Sequence, residues 1–136
     1  MSAALIAQAR AAATKAHAPY SDFTVGCAVE AKDGSVALGA NMENACYRLG
    51  VCAEQSALAA AAQAFGLANI ARIAVAGGPR AGGGSAVVTP CGGCRQAIME
   101  AAALGAGDIE VVCAGLEGDA VQVTTISKLL PSAFAL

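Results

Sequence analysis

Two short stretches of the sequence contain the residue types that could carry out chemistry. One is Val-Cys-Ala-Glu-Gln at positions 51–55, and the other is Pro-Cys-Gly-Gly-Cys-Arg at positions 90–95. Three thiolates with one open position form the ligand set of a catalytic zinc, whereas a structural zinc takes four protein ligands. The carboxylate of Glu54, two residues after Cys52, is placed to move protons beside a metal rather than to bind it. We therefore predict that Cys52, Cys91 and Cys94 meet in space around one Zn²⁺ ion.

Two other interpretations of these cysteines remain open at this point. Cys91 and Cys94 alone could form a redox dithiol at a helix start, as in thioredoxin-like proteins. They could also belong to a structural zinc site, for which Cys46 is the nearest fourth ligand in the sequence. The stretch from Cys52 to Glu54 favours metal catalysis, because a redox motif has no use for it. The alternative from a different class is an interaction protein that has neither zinc nor activity.

The charge of the predicted metal site needs compensation. Zn²⁺ with three thiolates has a net charge of about −1, which weakens its pull on a bound water unless positive groups lie nearby. Both cysteine stretches are predicted to open helices, whose N-terminal ends present free N–H groups and a positive dipole end. Arg95 is the third candidate for this role.

The elements that must position these residues follow from apolar spacing and from turn residues. Asp33-Gly34 predicts a hairpin, Ser127 is a candidate helix cap, and Cys27 and Cys113 are interpreted as small core residues within strands. The glycine-rich stretch 77–85 is expected to be a surface loop. Helices are predicted at 3–16, 52–65, from the second cysteine stretch through Leu104, and at 127–130, and strands at 24–31, 35–40, 70–76, 108–114 and 120–124. This order predicts an α/β layered domain with a mixed sheet of about five strands covered by helices.

The composition of the 136-residue chain limits what it can be. Hydrophobic residues make up 57% and charged residues 13%, which suits a single domain over residues 1–136 with apolar surface left for subunit association. The net charge of −2 without a Lys/Arg cluster argues against a nucleic-acid partner, and no apolar run approaches the roughly 20 residues of a membrane span. We expect an ordinary first helix rather than a targeting segment, and a cytoplasmic location where thiols stay reduced. The only histidine, His17, is interpreted as a solvated loop residue, so Ser-His-Asp and Cys-His mechanisms are not expected.

The two cysteine stretches together are typical of one class of enzyme. A Cys or His followed two residues later by Glu, and then Pro-Cys-x-x-Cys, is the signature of zinc nucleobase deaminases. Over nearly its whole length the sequence resembles the small homotetrameric cytidine deaminases. The further motifs behind this resemblance are Ala18-Pro19-Tyr20-Ser21 with Phe23 and Val25-Gly26, Asn41-x-Glu43-Asn44-Ala45, Gln96 after Cys94-Arg95, and Leu129-Leu130-Pro131-x-x-Phe134. The Asn-x-Glu-Asn motif and the Leu-Leu-Pro ending are more specific to the nucleoside enzymes than the zinc residues are.

The resemblance implies a fold and a reaction. The fold would be the three-layer α/β/α arrangement of cytidine deaminases. The reaction would be hydrolysis of cytidine and 2′-deoxycytidine to uridine and 2′-deoxyuridine, with release of ammonia, as part of pyrimidine salvage. Zinc would activate the attacking water, and Glu54 would pass its proton to the ring nitrogen and the leaving amine.

The resemblance also implies which residues bind the substrate. From the residues alone, the polar stretch 41–47 is as consistent with an ordinary loop as with a sugar-binding site. By resemblance, Phe23 would stack on the pyrimidine, Asn41 and Glu43 would bind the ribose hydroxyls, and the backbone of Ala53 would contact the base. In the family neighbouring subunits complete each site, and the matching positions in this sequence are Ala45, Tyr47 and Phe134.

One position departs from the family pattern. Family members usually have Arg directly after the catalytic Glu, where it donates to the thiolates and offsets their charge, but this sequence has Gln55. An amide can still donate a hydrogen bond, and Arg95 and the two helix ends would then supply the positive charge. Blasticidin S deaminase has a similar zinc core and is the related alternative, although the ribose-binding stretch favours plain nucleosides. The sequence does not rank cytidine against 2′-deoxycytidine.

Overall fold

A computed structural model describes residues 2–136 of the chain. Within these residues the centre of the molecule is a five-stranded sheet with the strand order β2-β1-β3-β4-β5. β3 and β4 run parallel, and every other neighbouring pair is antiparallel. The sheet is therefore mixed, as predicted. Its strands are β1 (Phe23–Ala31), β2 (Val36–Ala40), β3 (Ile70–Pro79), β4 (Glu110–Gly115) and β5 (Val121–Thr125).

Helices cover both faces of the sheet. The helices of residues 2–136 are α1 (Ser2–Ala13), α2 (Ala53–Ala64), α3 (Gly92–Leu104) and α4 (Ile126–Leu129), with 3₁₀ turns at Tyr47–Leu49 and Leu67–Asn69. One core layer packs α1 against one face, and a second, larger layer includes α2, α3 and the start of α4 on the other. Alternate residues of a strand point to opposite faces, so in β3 Ala74 and Ala76 meet α1 while Ile73 and Val75 face α2 and α3. The three-layer α/β/α fold that the sequence predicted is confirmed.

Two glycines allow the helices to approach the sheet closely. A Cβ atom at Gly26 of β1 would lie 2.5 Å from the backbone nitrogen of Ala13 in α1. At Gly39 of β2 it would lie 2.7 Å from the carbonyl oxygen of Ala53, at the first residue of α2. Any side chain at these positions would push the helix away, because such contacts are shorter than carbon atoms tolerate. Gly39 therefore fixes how close the start of α2 sits to the sheet.

Two predicted boundaries were wrong by three residues, and the others differ by at most two. α1 ends at Ala13 rather than at position 16, because Thr14, Lys15 and Ala16 make i→i−3 hydrogen bonds in a tighter turn. β3 continues through Gly77 and Gly78 to Pro79, where the sequence predicted a surface loop. These glycines pair with β1, and Gly77 also pairs with β4, so pairing to neighbours overrides their low strand propensity.

Ser127 does not cap the last helix, contrary to prediction. α4 begins one residue earlier, at Ile126, and its N-cap is Thr125, whose side chain makes no capping hydrogen bond. The backbone N–H and the hydroxyl of Ser127 instead donate to the carboxylate of Asp108. Within residues 2–136, no helix combines the length and the apolar character that crossing a bilayer requires.

Candidate active site

The N-terminal ends of α2 and α3 bring the three predicted thiols together. Cys52 is the N-cap residue of α2 and Cys91 is the N-cap of α3, while Cys94 lies in the first turn of α3. The Sγ atoms of Cys52 and Cys91 are 3.9 Å apart, those of Cys91 and Cys94 are 3.3 Å apart, and all three lie within 4.8 Å of one another. Tetrahedral zinc with bonds of about 2.3 Å would separate its sulfur ligands by about 3.8 Å. The spacing and the thiol chemistry therefore fit zinc.

The donor set also separates a catalytic from a structural metal site. Cys46, the nearest candidate for a fourth ligand, is exposed and does not belong to the thiol cluster found among residues 2–136. The acidic neighbour of the cluster is Glu54 in the first turn of α2. Three thiols with a carboxylate beside them match the arrangement predicted for a metal that keeps one position open.

The thiols differ in acidity before a metal binds. Burial raises the pKa of Cys52 and raises that of Cys94 much further. The nearby backbone N–H of Cys94 lowers the pKa of Cys91, in the way that free N–H groups at a helix start stabilise an anion. Zinc takes its cysteine ligands as thiolates, so metal binding at this site must release protons.

Glu54 lies against the thiols and away from water. Its residue is only 5% exposed, and burial raises the pKa of its carboxyl group, opposed by hydrogen bonds from its own backbone N–H and from the Cys94 thiol. Behind it, Cys27 and Cys113 are fully buried in β1 and β4, and burial together with the charge of Glu54 raises the Cys113 pKa to about 11. These two cysteines have the core positions that the sequence predicted.

The two residues predicted to compensate charge take different positions. The side-chain amide of Gln55 is 3.6 Å from the Sγ of Cys94, to which it can donate a hydrogen bond. Arg95 instead donates from Nε to the carbonyl of Pro90 at 2.8 Å and from a terminal nitrogen to the carbonyl of Leu129 at 3.1 Å. Gln55 therefore contacts a thiol directly, whereas Arg95 ties the loop before α3 to the end of α4. The compensating role of both side chains stays a prediction.

The predicted sugar-binding side chains are held by the start of β1 and by the residues just before it. The amide of Asn41 accepts from the backbone N–H of Val25 at 2.8 Å and donates to the carbonyl of Phe23 at 2.9 Å. The carboxylate of Glu43 accepts hydrogen bonds from the backbone of Tyr20 and from the backbone and hydroxyl of Ser21. The Ser21 hydroxyl is the largest cause of the lowered pKa of Glu43. Glu43 is thus fixed and ionised, with lone pairs left to accept from other donors.

The predicted stacking residue sits at the start of β1. Phe23 is 38% exposed, and its backbone N–H donates to the Ser21 hydroxyl. Between them, Asp22 has a φ of 57°, in the left-handed region that non-glycine residues seldom adopt. The Asp22 carboxylate and carbonyl both accept from Arg80, with 3.0 Å from the guanidinium Nε to the carboxylate. The unusual backbone turn that directs Phe23 is therefore held in place.

The remaining predicted residues fall into two groups. Ala53 is fully buried at the first position of α2, between Cys52 and Glu54. Ala45, Tyr47 and Phe134 are exposed, and the ring of Tyr47 meets that of Tyr20 edge-on at 6.1 Å between centroids. Next to this aromatic pair is a surface cavity of about 340 Å³ lined by Tyr20, Ser21, Glu43, Asn44, Tyr47 and Gly50. The cavity lies on the Glu43 side of the site, and its lining does not reach the thiols.

The sequence did not assign a role to Ser21 or to Gln96. Ser21 joins Glu43 to Phe23 through one hydroxyl group, and Gln96 binds the backbone of Phe134 in both directions. Both residues fall inside the motifs that suggested the resemblance. Their partners lie between 2 and 38 positions away in the sequence, so only the folded structure shows what they bind.

Known proteins resemble this chain in both sequence and fold. Residues 2–107 match the family model described as the cytidine and deoxycytidylate deaminase zinc-binding region. The chain is 44% identical over 130 residues to the cytidine deaminase of Halalkalibacterium halodurans, covering 96% of this chain and 91% of that protein. The solved cytidine deaminase of Burkholderia pseudomallei is 45% identical with a TM-score of 0.84, covering 98% of this chain and 99% of that one. That of Mycobacterium tuberculosis is 31% identical with a TM-score of 0.78, covering 98% and 97%.

Proposed function

The chain belongs to the family of cytidine and deoxycytidylate deaminases, and from this premise we propose that it converts cytidine and 2′-deoxycytidine to uridine and 2′-deoxyuridine. Water adds to the ring carbon that bears the amino group, the C–N bond breaks, and ammonia leaves. The single observation that supports this most directly is the cluster of three thiols at two helix starts with the buried Glu54 beside it.

Cys52, Cys91 and Cys94 would hold the zinc. When bound, zinc would act as a Lewis acid that makes water nucleophilic at neutral pH. The side chain of Glu54 takes a proton from the attacking water and gives it to the ring nitrogen. It then takes the second proton from the hydroxyl group now on the ring carbon and gives it to the leaving amine, so that the carbonyl of uracil forms as the C–N bond breaks. Burial raises the Glu54 pKa, and a general acid–base works best when its pKa lies near the working pH.

The start of β1, the loop after β2 and the start of α2 would bind the nucleoside. Glu43 has free lone pairs for sugar hydroxyls, and Asn41 keeps one N–H that its two backbone hydrogen bonds do not use. Phe23 offers a partly exposed ring for stacking on the pyrimidine, and the backbone of Ala53 borders the thiols. Specificity for nucleosides would come from this polar pair, since zinc residues alone are common to many deaminases.

We further propose a homotetramer in which subunits share sites. Tyr47 is 80% exposed and Phe134 is 71% exposed, which is costly for large aromatic rings unless a partner covers them. With Ala45 they would complete the site of a neighbouring subunit. Residues 1–136 would act as one domain, in pyrimidine salvage. A cytoplasmic location suits a zinc site that requires reduced thiols.

The test is turnover of cytidine by the zinc-loaded protein, followed by the ultraviolet change as cytosine becomes uracil. Glu54→Gln is the control, because the amide keeps the shape of the side chain but cannot accept the proton. We expect turnover that falls by at least about 1000-fold in this variant, with zinc content unchanged. Zinc-loaded protein that leaves both nucleosides unchanged would refute the proposal, and blasticidin S would be the next substrate to assay.

A further inference from the structure

The C-terminal aromatic residue is fixed at its backbone while its ring stays in solvent. The side-chain amide of Gln96 donates to the carbonyl of Phe134 at 3.0 Å and accepts from its N–H at 3.2 Å. An amide side chain matches a peptide group in this way because it has both a donor and an acceptor. The ring nevertheless remains 71% exposed. The backbone is therefore held in one place without the ring being packed within the subunit.

The holding residue belongs to the same helix turn as the metal site. Gln96 lies two positions after Cys94 on α3, and its neighbour Arg95 binds the carbonyl of Leu129 in the same C-terminal segment. Two consecutive side chains thus attach residues 129–134 to the start of α3. A surface cavity of about 380 Å³ lies between α3 and the last residues, and its lining includes Met99, Leu104 and Phe134. The tail is consequently held at particular points rather than by continuous packing.

We propose that Gln96 is a positioning residue that presents the ring of Phe134 to the nucleoside site of a neighbouring subunit. This inference rests on the proposed function, which gives Phe134 a place in the neighbour's site. The two hydrogen bonds remove the freedom of the backbone before the ring meets its target. Fixing a contact group in advance lowers the entropy cost of binding.

Loss of Gln96 should therefore affect substrate binding rather than the chemical step. In Gln96→Ala, the loss of two hydrogen bonds of ordinary net strength should raise KM for cytidine about tenfold. We expect kcat to change by less than about twofold, because Glu54 and the thiols keep their positions. Gln96→Glu retains the acceptor but loses the donor facing the Phe134 carbonyl, so KM should rise in this variant also. Gln63→Ala is the matched control, since Gln63 is exposed on α2 and its side chain makes no hydrogen bond within residues 2–136.

A double-mutant cycle with Phe134→Ala tests the connection. If Gln96 acts through Phe134, the double variant should have the KM of Phe134→Ala alone. Additive effects, or a wild-type KM in both Gln96 variants, would overturn the inference while leaving the deaminase function intact. A Phe134→Ala enzyme with wild-type KM would overturn both the shared site and the role of Gln96. Absence of cytidine turnover in the parent enzyme would instead be a failure of the proposed function itself.

Mixed assemblies test whether the ring acts across the subunit boundary. Gln96→Ala subunits have intact catalytic residues, and Glu54→Gln subunits have intact tails. Co-expressed in one assembly, the two should regain a low KM in part of the sites, because an intact tail reaches a competent neighbour. If the mixed assembly keeps the high KM of Gln96→Ala alone, Phe134 acts within its own subunit and the inference is wrong.

Discussion

Replacing Gly39 with alanine should weaken catalysis from a position that touches no substrate. Gly39 lies in β2, where a Cβ atom would be 2.7 Å from the carbonyl oxygen of Ala53 and 2.8 Å from the Cα of Ala57. Both contacts are with backbone atoms of α2, so no side chain can rotate to make room. The steric clash would displace the first turn of α2, which positions Cys52 and Glu54.

The size of the effect follows from these distances. Restoring ordinary contacts requires the start of α2 to move outward by about 0.5–1 Å, and overpacking of this kind costs about 1–3 kcal/mol. For a domain of this size the melting temperature should fall by about 3–10 °C. A displacement of about 1 Å at reacting groups can reduce the rate about 100-fold. We therefore expect kcat/KM for cytidine to fall between about 10-fold and 100-fold.

The assay combines turnover, thermal melting and zinc content for Gly39→Ala. Gly107→Ala is the matched control, because a Cβ at Gly107 meets its nearest atom only at 4.0 Å. If Gly39→Ala melts and turns over like the parent, the close contact between β2 and α2 does not constrain the site. A lower melting temperature with unchanged kcat/KM would also contradict the reasoning, because the strain would then be absorbed elsewhere.

Two further changes probe the sugar side and the charge at the thiols. Ser21→Ala removes the largest cause of the lowered Glu43 pKa, so protonation of Glu43 should begin at higher pH as acid is added. Ionised Glu43 can accept from the sugar hydroxyls above the usual pKa of a glutamate, and this ability is lost as the pH falls through the pKa of Glu43 in the folded protein. KM should therefore begin to rise at a higher pH in the variant than in the parent. Coincident curves of KM against pH would refute this. Gln55→Arg places a positive charge where the Gln55 amide nitrogen now lies 3.6 Å from the Cys94 sulfur. This charge should ease deprotonation of the attacking water and shift the acidic limb of the activity profile to lower pH. An unchanged profile for Gln55→Arg would show that the charge is compensated elsewhere.

The zinc-binding cluster could be predicted because its residues lie in two short stretches of sequence. Cys91 and Cys94 are close in sequence, Cys52 and Glu54 likewise, and both pairs precede alanine-rich runs that form helices. A helix start offers free N–H groups to an anion, so two such starts favour one shared metal. The structure confirms that the three thiols meet.

The contacts around the sugar-binding residues could not be predicted in the same way. Asn41 and Glu43 were expected to face a ligand, yet much of their hydrogen-bonding capacity is used on Phe23, Val25, Tyr20 and Ser21. Each partner lies 16 to 23 positions away. Such pairs depend on how β1 and β2 align, which local patterns do not specify. The same reason explains the wrong prediction for Gly77 and Gly78, which belong to β3 because they pair with β1, and in the case of Gly77 also with β4.

The first turns of α3 have a consequence for how the length of this protein can change in evolution. Positions 91–96 supply two sulfur atoms for a metal. The same six positions supply two side chains, here called the clamps, that hydrogen-bond to the backbone of Leu129 and of Phe134. A helix turns by about 100° per residue, so inserting or deleting one residue here would rotate the clamps away from their partners. Single replacements remain possible, but changes of length do not. We expect insertions and deletions among related chains to collect instead at Gly82 and Gly83, where a Cβ atom would meet no atom within 4 Å.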